Sequence, residues 1–544
     1  MIHNFAENQV NKLIRTRFAC PHNHKTTGNT GDLIPIYRKE ILPGDIITMK
    51  EVRSLIRQTT PSFQTMDCAF ADIAFYFVPM RLVWEHWKAF QGEKTVGPHQ
   101  TQPQYTIPMV TAPQGGWDEN TIADYLGFPT KVENIQVNAL YGRAYGLIWN
   151  EWYRDQNRQD FTDFIKDDAN ITGSNGDNYV TDPIKYGKCL KVAKIHDYFT
   201  STLLQPQAGD PVTLPIGDFA PVIGNGMALG LTDGNNNFGF VNGTNPYIST
   251  GVYGNDVGSA PSGSNPNPNK ALGVTNDPTS SGIIADLQKA TAITVNQLRQ
   301  AFQLQKVLEA NARSGTRYIE ILKNRWGVTP SDARLQRPEY LGGKRIPLQI
   351  EAVVQTSSTN DVSPLGQVGG FGSTFDRSFM FQKGFEEHGI LMGFVYVRHQ
   401  RTYQQGLHKM FTRKNMEDFY MPEFQNLGEQ PVYNYEIYAQ GNDQDNEVFG
   451  YQEYGAEYRY EQNRVSGQFR SNATNSFDNW HYADDYETCP VNGEDWIVEN
   501  GTAIDRTLTV TSDVVNQFYF DFYFDEIDVR PIPPHSIPGF IDHH

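Results

Sequence analysis

The stretch FYFDFYFD at residues 518–525 constrains this chain more than any other. Phe518, Phe520, Phe522 and Phe524 alternate strictly with Tyr519, Asp521, Tyr523 and Asp525. Successive side chains of a strand point to opposite faces, so this alternation makes one apolar ribbon and one hydrated one. A ribbon of that kind lines a core and needs partners. A second strand signal lies far away, near the other terminus. There Ala69, Ala71, Ile73, Phe75 and Phe77 fall on one side, and Cys68, Asp72 and Tyr76 on the other, the period of a half-buried strand, before Pro79 stops the pattern. Ahead of it, two apolar runs flank Leu42-Pro43-Gly44-Asp45, where Pro fixes φ and Gly supplies the positive φ of a type II turn, predicting a β-hairpin. Strand signals near both ends of 544 residues, with helices and loops between, fit one barrel closed by non-local pairing better than separate domains.

The intervening chain supplies the insertions. Leu82, Val83, His86, Trp87 and Phe90 have helical spacing, with Gly92 as the end; residues 92–116 are a Pro- and Gln-rich surface loop. Asn120-Thr121 opens a short helix carrying Ile122, Tyr125 and Leu126 before Gly127, and Ala139, Tyr145, Ile148, Trp149 and Trp152 predict a longer one. Thr294 and Gln297 form a capping box for the strongest helix, closed by Gly315; Tyr318, Ile319 and Leu322 mark another, closed by Gly327. Residues 346–356 and 389–398 read as strands separated by a Gly-rich loop around VGGFGS.

Charge is distributed more informatively than its sum of −17 suggests. Residues 1–60 hold nine Lys or Arg against five acids, and 286–345 hold eleven against five, whereas 415–544 carry 25 acids, five Arg and no Lys. The basic start, with Lys12, Arg15, Arg17 and Lys25, reads as an arm over residues 1–30, either a solvated or edge-docked terminus or an internal arm that contacts an anionic partner or a neighbouring subunit. The Arg-rich run Arg313, Arg317, Lys323, Arg325, Arg334 and Arg337 is an alternative basic surface. Four widely spaced cysteines suggest neither a disulfide framework nor a metal knuckle, and a reducing compartment fits them. No run approaches the ~20 apolar residues of a membrane span, and the N-terminus has no apolar core for a signal peptide, so a soluble, cytoplasmically made protein is expected.

Residues 206–282 differ from the rest. With 14 Gly, 11 Asn and only six charged residues, they lack the long apolar side chains of an independent core and should project outward.

At GDLIPIYRKEILPGD, FVPMRLVWEHWKAF, NQLRQAFQLQKVLEANARSGTRYIEILKNRWGV, DARLQRPEYLGG and HQRTYQQGLHKMFTRKNMEDFYMPEFQNLGEQ, the chain closely resembles the major capsid proteins of the microviruses, the gokushoviruses among them. The resemblance covers nearly everything outside 206–282. It implies a mainly β subunit, a single eight-stranded antiparallel jelly-roll barrel with long helical and loop insertions, assembled as a T=1 shell around circular single-stranded DNA. It divides the chain into an arm (1–30), a first jelly-roll part (31–205), a surface insertion (206–282), a basic helical insertion (283–345), a second jelly-roll part (346–530) and a tail (531–544) that drapes over a neighbour. Lys12, Arg15, Arg17 and Lys25 are then expected to face the DNA. The insertion would gather in threes as a protrusion, and host attachment by Asn235, Asn236, Asn237, Phe238 and Tyr253 is expected there. Further implied partners are copies of the chain itself, a small basic DNA-binding protein, minor capsid or pilot proteins and a host surface receptor.

No motif argues for catalysis or a cofactor. His22-Asn23-His24 lacks a ββα-metal context, Glu386-Glu387-His388 lacks a second His four residues on, and the glycine pairs at 115–116, 342–343 and 369–370 lack both the Lys and the strand-to-helix setting of a phosphate loop. His543 and His544 have no ligand run beside them. Asp521, Asp525, Glu526 and Asp528 read as the wet face of a strand rather than a divalent-ion site. The competing readings are a secreted β-sandwich carbohydrate-binding protein and a jelly-roll glycoside hydrolase, which would need a pair of carboxylates that nothing in the sequence selects.

Overall fold

The structure is a computed structural model that describes residues 14–97, 99–213, 222–224, 231–232, 237–238, 273–274, 283–285, 294–354, 356, 366 and 368–535. The chain divides into two compact units, residues up to 206 with those from 311 onward, and residues 207–310.

The first unit is built on two antiparallel sheets. The strands of these two sheets, in chain order, are β1 (Thr16–Ala19), β2 (His22–Gly28), β3 (Ile34–Ile41), β4 (Ile46–Gln58), β5 (Ala69–Pro79), β6 (Glu339–Pro347), β7 (Ile350–Val354), β8 (Val368–Ser378), β9 (Phe381–Gly384), β10 (Gly389–His399) and β11 (Phe518–Arg530). One sheet runs β1-β11-β4-β8-β7, with β2 also on β11 and β9 also on β4; the other runs β6-β5-β10-β3. The protein is mainly β, and its sheets join the two ends of the chain: β11 pairs with β4 from Phe518 opposite Gln58 to Val529 opposite Ile46.

Two expectations are corrected here. Leu42–Asp45 does form the turn, with Gly44 at φ +89° and the Asp45 N–H donating to the Leu42 carbonyl at 3.0 Å. It is no hairpin, because β3 pairs with β10 while β4 pairs with β11, β8 and β9. The turn is a corner carrying the chain from one sheet to the other. The Gly-rich segment around VGGFGS is strand β8, not loop. Its glycines are there for close approach: a Cβ on Gly370 would meet the Phe63 carbonyl oxygen at 2.5 Å, and one on Gly372 the Gln58 Cβ at 2.8 Å. Part of the expected arm also lies in the sheet, since β1 and β2 both pair with β11.

The core between the sheets takes Phe518, Phe520, Phe522 and Phe524 from β11, Ile47, Met49, Val52 and Ile56 from β4, and Ala69, Ala71, Ile73, Phe75 and Phe77 from β5. The half-buried reading of β5 is corrected too, since its opposite face is buried as well. Ala74, Tyr76 and Val78, with Ile390, Met392 and Phe394 of β10, pack against helix α1 (Leu140–Trp152) through Leu140, Ala144, Tyr145, Ile148 and Trp149. β5 is therefore a fully buried strand, and Asp72 on it is tied by Arg345 and Arg398, both at 2.7 Å. The short helix Ile122–Tyr125 starts at Thr121, whose hydroxyl accepts from the Asp124 N–H. The helix expected near Leu82–Phe90 is two single turns, Met80–Val83 and Trp87–Phe90. Helix α3 (Tyr318–Trp326) ends at Gly327 as expected.

A third cluster gathers Tyr198, Phe199, Val432, Ile437, Phe449 and Trp496, and Glu436 is buried beside it. Burial raises the Glu436 carboxyl from its ordinary 4.5 to about 7. A raised folded value means that the folded state holds an extra proton between those values, so stability is complete below pH 4.5 and is lost as pH rises through about 7. Glu436→Gln should be the more stable protein above that point, by up to about 3 kcal/mol, with the advantage vanishing in mild acid; thermal unfolding across pH reads it.

In the second unit, Val222–Gly224 pairs with Ile283–Ala285, and Leu231–Thr232 pairs with both Asn237–Phe238 and Gly273–Val274. The long helix α2 (Val295–Ser314) begins at the expected capping box, where the Gln297 N–H donates to Thr294 Oγ1 at 3.2 Å and the Thr294 N–H to Gln297 Oε1 at 3.0 Å.

Candidate nucleic-acid interface

The four-stranded sheet is covered on both faces, so the sandwich's open surface is the outer face of the seven-stranded sheet. Strand parity decides what that face carries. On β11 the phenylalanines point in, which leaves Tyr519, Asp521 and Tyr523 outward; on β4 the inward Val52, Ser54 and Ile56 leave Arg53, Leu55 and Arg57 outward. Cross-strand register then sets neighbours: Lys25 opposite Asp521, Tyr523 opposite Arg53, Tyr519 opposite Arg57, and Arg377 opposite Arg53.

The local electrostatics are settled by two carboxylates. Glu51 bonds Arg53 and accepts from Arg377 Nη2 at 2.5 Å; the Arg53 bond, with Arg377 adding to it, keeps its carboxyl below the usual range. Lys25 Nζ lies 3.3 Å from Asp521. Arg53 also lies over the Tyr523 ring, 5.0 Å from its centroid. Arg57 and Lys50 are exposed and form no ion pair with a described residue. Along β8 and just beyond it, Phe371, Phe375 and Phe379 expose 47, 65 and 62% of their surface. An open face that interleaves guanidinium groups with accessible rings suits a flexible polyanion that also has flat bases.

Of the residues singled out from the sequence, Lys25 lies within this group. Arg17 faces outward too, but opposite Val529, eight residues along β11 from Lys25's partner and hence about 27 Å away. Arg15 is exposed just before β1. Asn237 and Phe238 form their short strand, and Lys12, Asn235, Asn236 and Tyr253 lie outside the described residues. The Arg-rich alternative is largely engaged internally: Arg313 bonds Glu429, Arg317 reaches Glu320 at 3.6 Å, and Arg337 reaches Asp332 at 3.4 Å and stacks on Trp152. Arg53, Arg57 and Arg377 were missed, although in IITMKEVRSLIRQ the alternation of Val52 and Ile56 with Arg53 and Arg57 carries the signal.

The wet-face reading of the acids holds for Asp521 and is overturned for Glu526 and Asp528, which are 2% and 1% exposed. They continue the inward parity of Phe524. Tyr37 donates to Glu526 Oε2 at 2.5 Å, and the Lys39 ammonium bonds both carboxylates. A bulge at Lys50, where Asp525 opposes Glu51 and Glu526 opposes Met49, accompanies this polar end of the core. Cys20, Glu526 and Asp528 are the group of possible metal donors among the described residues, with donor atoms within 4.8 Å of one another, and Lys39 supplies their cation.

The profile of the capsid protein (F protein) family matches residues 6–540. The chain belongs to that capsid protein family. It is 42% identical over 549 residues to capsid protein VP1 of Bdellovibrio phage phiMH2K, covering 99% of this chain and 97% of that one. It is 38% identical to capsid protein VP1 of Spiroplasma virus 4, over 99% and 97% of the two chains, and 37% identical to that of Chlamydia phage 1, over 99% and 98%. The capsid protein is thus a structural component of a virion that self-assembles into a shell, not an enzyme. The carbohydrate-binding and hydrolase readings fall with that. Among the described residues no helix is long and apolar enough to cross a membrane, and the four cysteines are free.

Proposed function

We propose that the capsid protein is the subunit of a T=1 icosahedral shell enclosing circular single-stranded DNA, folded as an eight-stranded jelly roll whose seven-stranded sheet turns inward. The strand orders support the jelly roll. Taking β2, β3, β4, β5, β6, β8, β10 and β11 as first to eighth, one sheet has the order first, eighth, third, sixth, and the other second, seventh, fourth, fifth, as two Greek keys give. The observation that carries the inward orientation is the outer face of the seven-stranded sheet, with Lys25, Arg53, Arg57 and Arg377 set among exposed rings. There phosphates meet guanidinium groups and bases stack on Phe375 and its neighbours, without sequence readout. Arg15, Arg17 and Lys12 extend the same role along the N-terminal arm.

Residues 206–282 form the protrusion at the threefold axis and engage the host receptor through Asn235, Asn236, Asn237, Phe238 and Tyr253. The long, nearly uncharged Asn- and Gly-rich composition supports this. The tail from 531 drapes over a neighbouring subunit. Assembly takes place in the host cytoplasm, with a small basic DNA-binding protein and minor capsid or pilot proteins as further partners. Deleting 209–280 should leave spherical particles of normal size, read by size exclusion and negative stain, that lose adsorption to host cells. Undiminished adsorption would remove the attachment role and leave the shell reading standing.

A further inference from the structure

A cavity of about 510 Å³ lies within the first unit, between the end of α1, the segment 192–203 and the start of α3. Its wall carries six cations, Arg154, Arg158, Lys194, Arg313, Arg317 and Arg398, but only two carboxylates, Asp155 and Glu320. Four of the cations have anionic partners. Arg158 is 3.3 Å from Asp155, Arg317 is 3.6 Å from Glu320, Arg398 is 2.7 Å from Asp72, and Arg313 bonds Glu429.

Arg154 and Lys194 have none. Both are buried, and neither has a carboxylate within 4 Å among the described residues. Arg154 lies over the Phe161 ring at 3.8 Å and donates from Nη1 to the Gln159 carbonyl at 2.6 Å, while its Nε–H has no acceptor. Burial pulls its pKa down, and the neighbouring charge of Arg317 pulls further. Lys194 lies over the Trp496 ring at 4.5 Å, and burial beside Arg401 lowers its ammonium to about 8. The Arg398 Nε–H also lacks an acceptor. Nearby carboxylates, Asp484 and Glu499 for Lys194 and Asp155 for Arg154, offset burial only in part; buried cations without an ion-pair partner and buried donors without acceptors are costly, and a bound oxyanion removes both costs at once.

We propose that this cavity binds a phosphate group, with Arg154 and Lys194 supplying the unneutralised charge. The lining rings of Trp152, Tyr153 and Tyr396 offer flat apolar surface for a base attached to that phosphate. The ligand is therefore either a free phosphate or a nucleotide, and the site does not depend on whether the outer sheet face carries DNA.

Isothermal calorimetry on the full-length protein decides it, using inorganic phosphate and thymidine monophosphate as probes. Saturable heat is expected for at least one probe, together with a rise in the thermal midpoint of the wild-type protein that saturates over the same concentrations. Tighter binding of thymidine monophosphate identifies a nucleotide site, and equal binding a site for the free anion. Lys194→Gln and Arg154→Gln should each weaken binding tenfold or more, and such a loss in either folded variant supports the assignment. No saturable response to either probe, or wild-type affinity retained in both variants, overturns it; should neither variant fold, the wild-type midpoint shift decides alone.

Discussion

Arg401→Met should destabilise the first unit by about 3–5 kcal/mol, the effect expected when one partner of a buried ion pair is removed and the other stays behind. Arg401 donates from Nη1 to Asp484 Oδ1 at 2.9 Å and from Nη2 to Glu499 Oε1 at 2.6 Å, and all three side chains are buried. His399 Nδ1 lies 2.9 Å from the same Glu499 oxygen. Burial pushes both carboxyls upward, and Arg401 overrides it, holding Asp484 and Glu499 below the ordinary carboxyl range. Depressed folded values contribute stability that is present above the unfolded pKa and lost as pH falls through the folded one. Without Arg401 the sign reverses: the stranded carboxyls take up protons more readily in the folded state, so the variant should lose stability as pH rises above the ordinary carboxyl range. Thermal unfolding against pH checks both magnitude and slope. Adding Asp484→Asn and Glu499→Gln to Arg401→Met should recover part of the loss. A variant as stable as the wild type would mean that this network does not hold β10 to the C-terminal loops.

The second large effect concerns the outer face of the seven-stranded sheet. Replacing Arg53, Arg57 and Arg377 together by Gln should sharply lower the DNA content of assembled particles. It should also reduce the salt dependence of oligo-dT binding by the full-length protein, by about 2 in the slope of log affinity against log salt, since each single-strand phosphate contact contributes about 0.7. Arg15→Gln with Arg17→Gln should have a smaller effect, because Arg17 sits at the far end of β11 from the clustered cations. Phe375→Ala with Phe379→Ala should weaken binding while leaving the slope unchanged, as stacking involves no counterion release. Normal packaging by the triple variant would detach this face from the DNA.

Legibility followed the range of the interactions. Helix α2 could be read because its cap, Thr294 with Gln297, and its stop, Gly315, are local. The Leu42–Asp45 turn was equally readable, yet the hairpin inferred from it was wrong, since the partners of β3 and β4 lie hundreds of residues downstream in β10 and β11. Pairing at that distance leaves no mark in a short window. Strand β8 looked like loop because glycines weaken strand propensity, and the atoms that require them, the Phe63 carbonyl and the Gln58 Cβ, lie far away in the sequence. Glu526 and Asp528 were misplaced for a different reason: their parity with Phe524 points inward, but an acid on a strand ordinarily marks the solvated face, and the Lys39 that offsets them lies far away in the sequence. Arg53 and Arg57 left a fainter mark, because Ser54 on the inward face and Leu55 on the outward one interrupt their alternation with Val52 and Ile56.

Cryo-electron microscopy of DNA-filled particles tests the account most directly. It predicts closed shells in which the β1-β11-β4-β8-β7 sheet lines the interior, with Arg53, Arg57 and Phe375 nearest the nucleic-acid density and α1 on the outer side. Shells with that sheet facing solvent, or interior density that avoids it, would contradict the account.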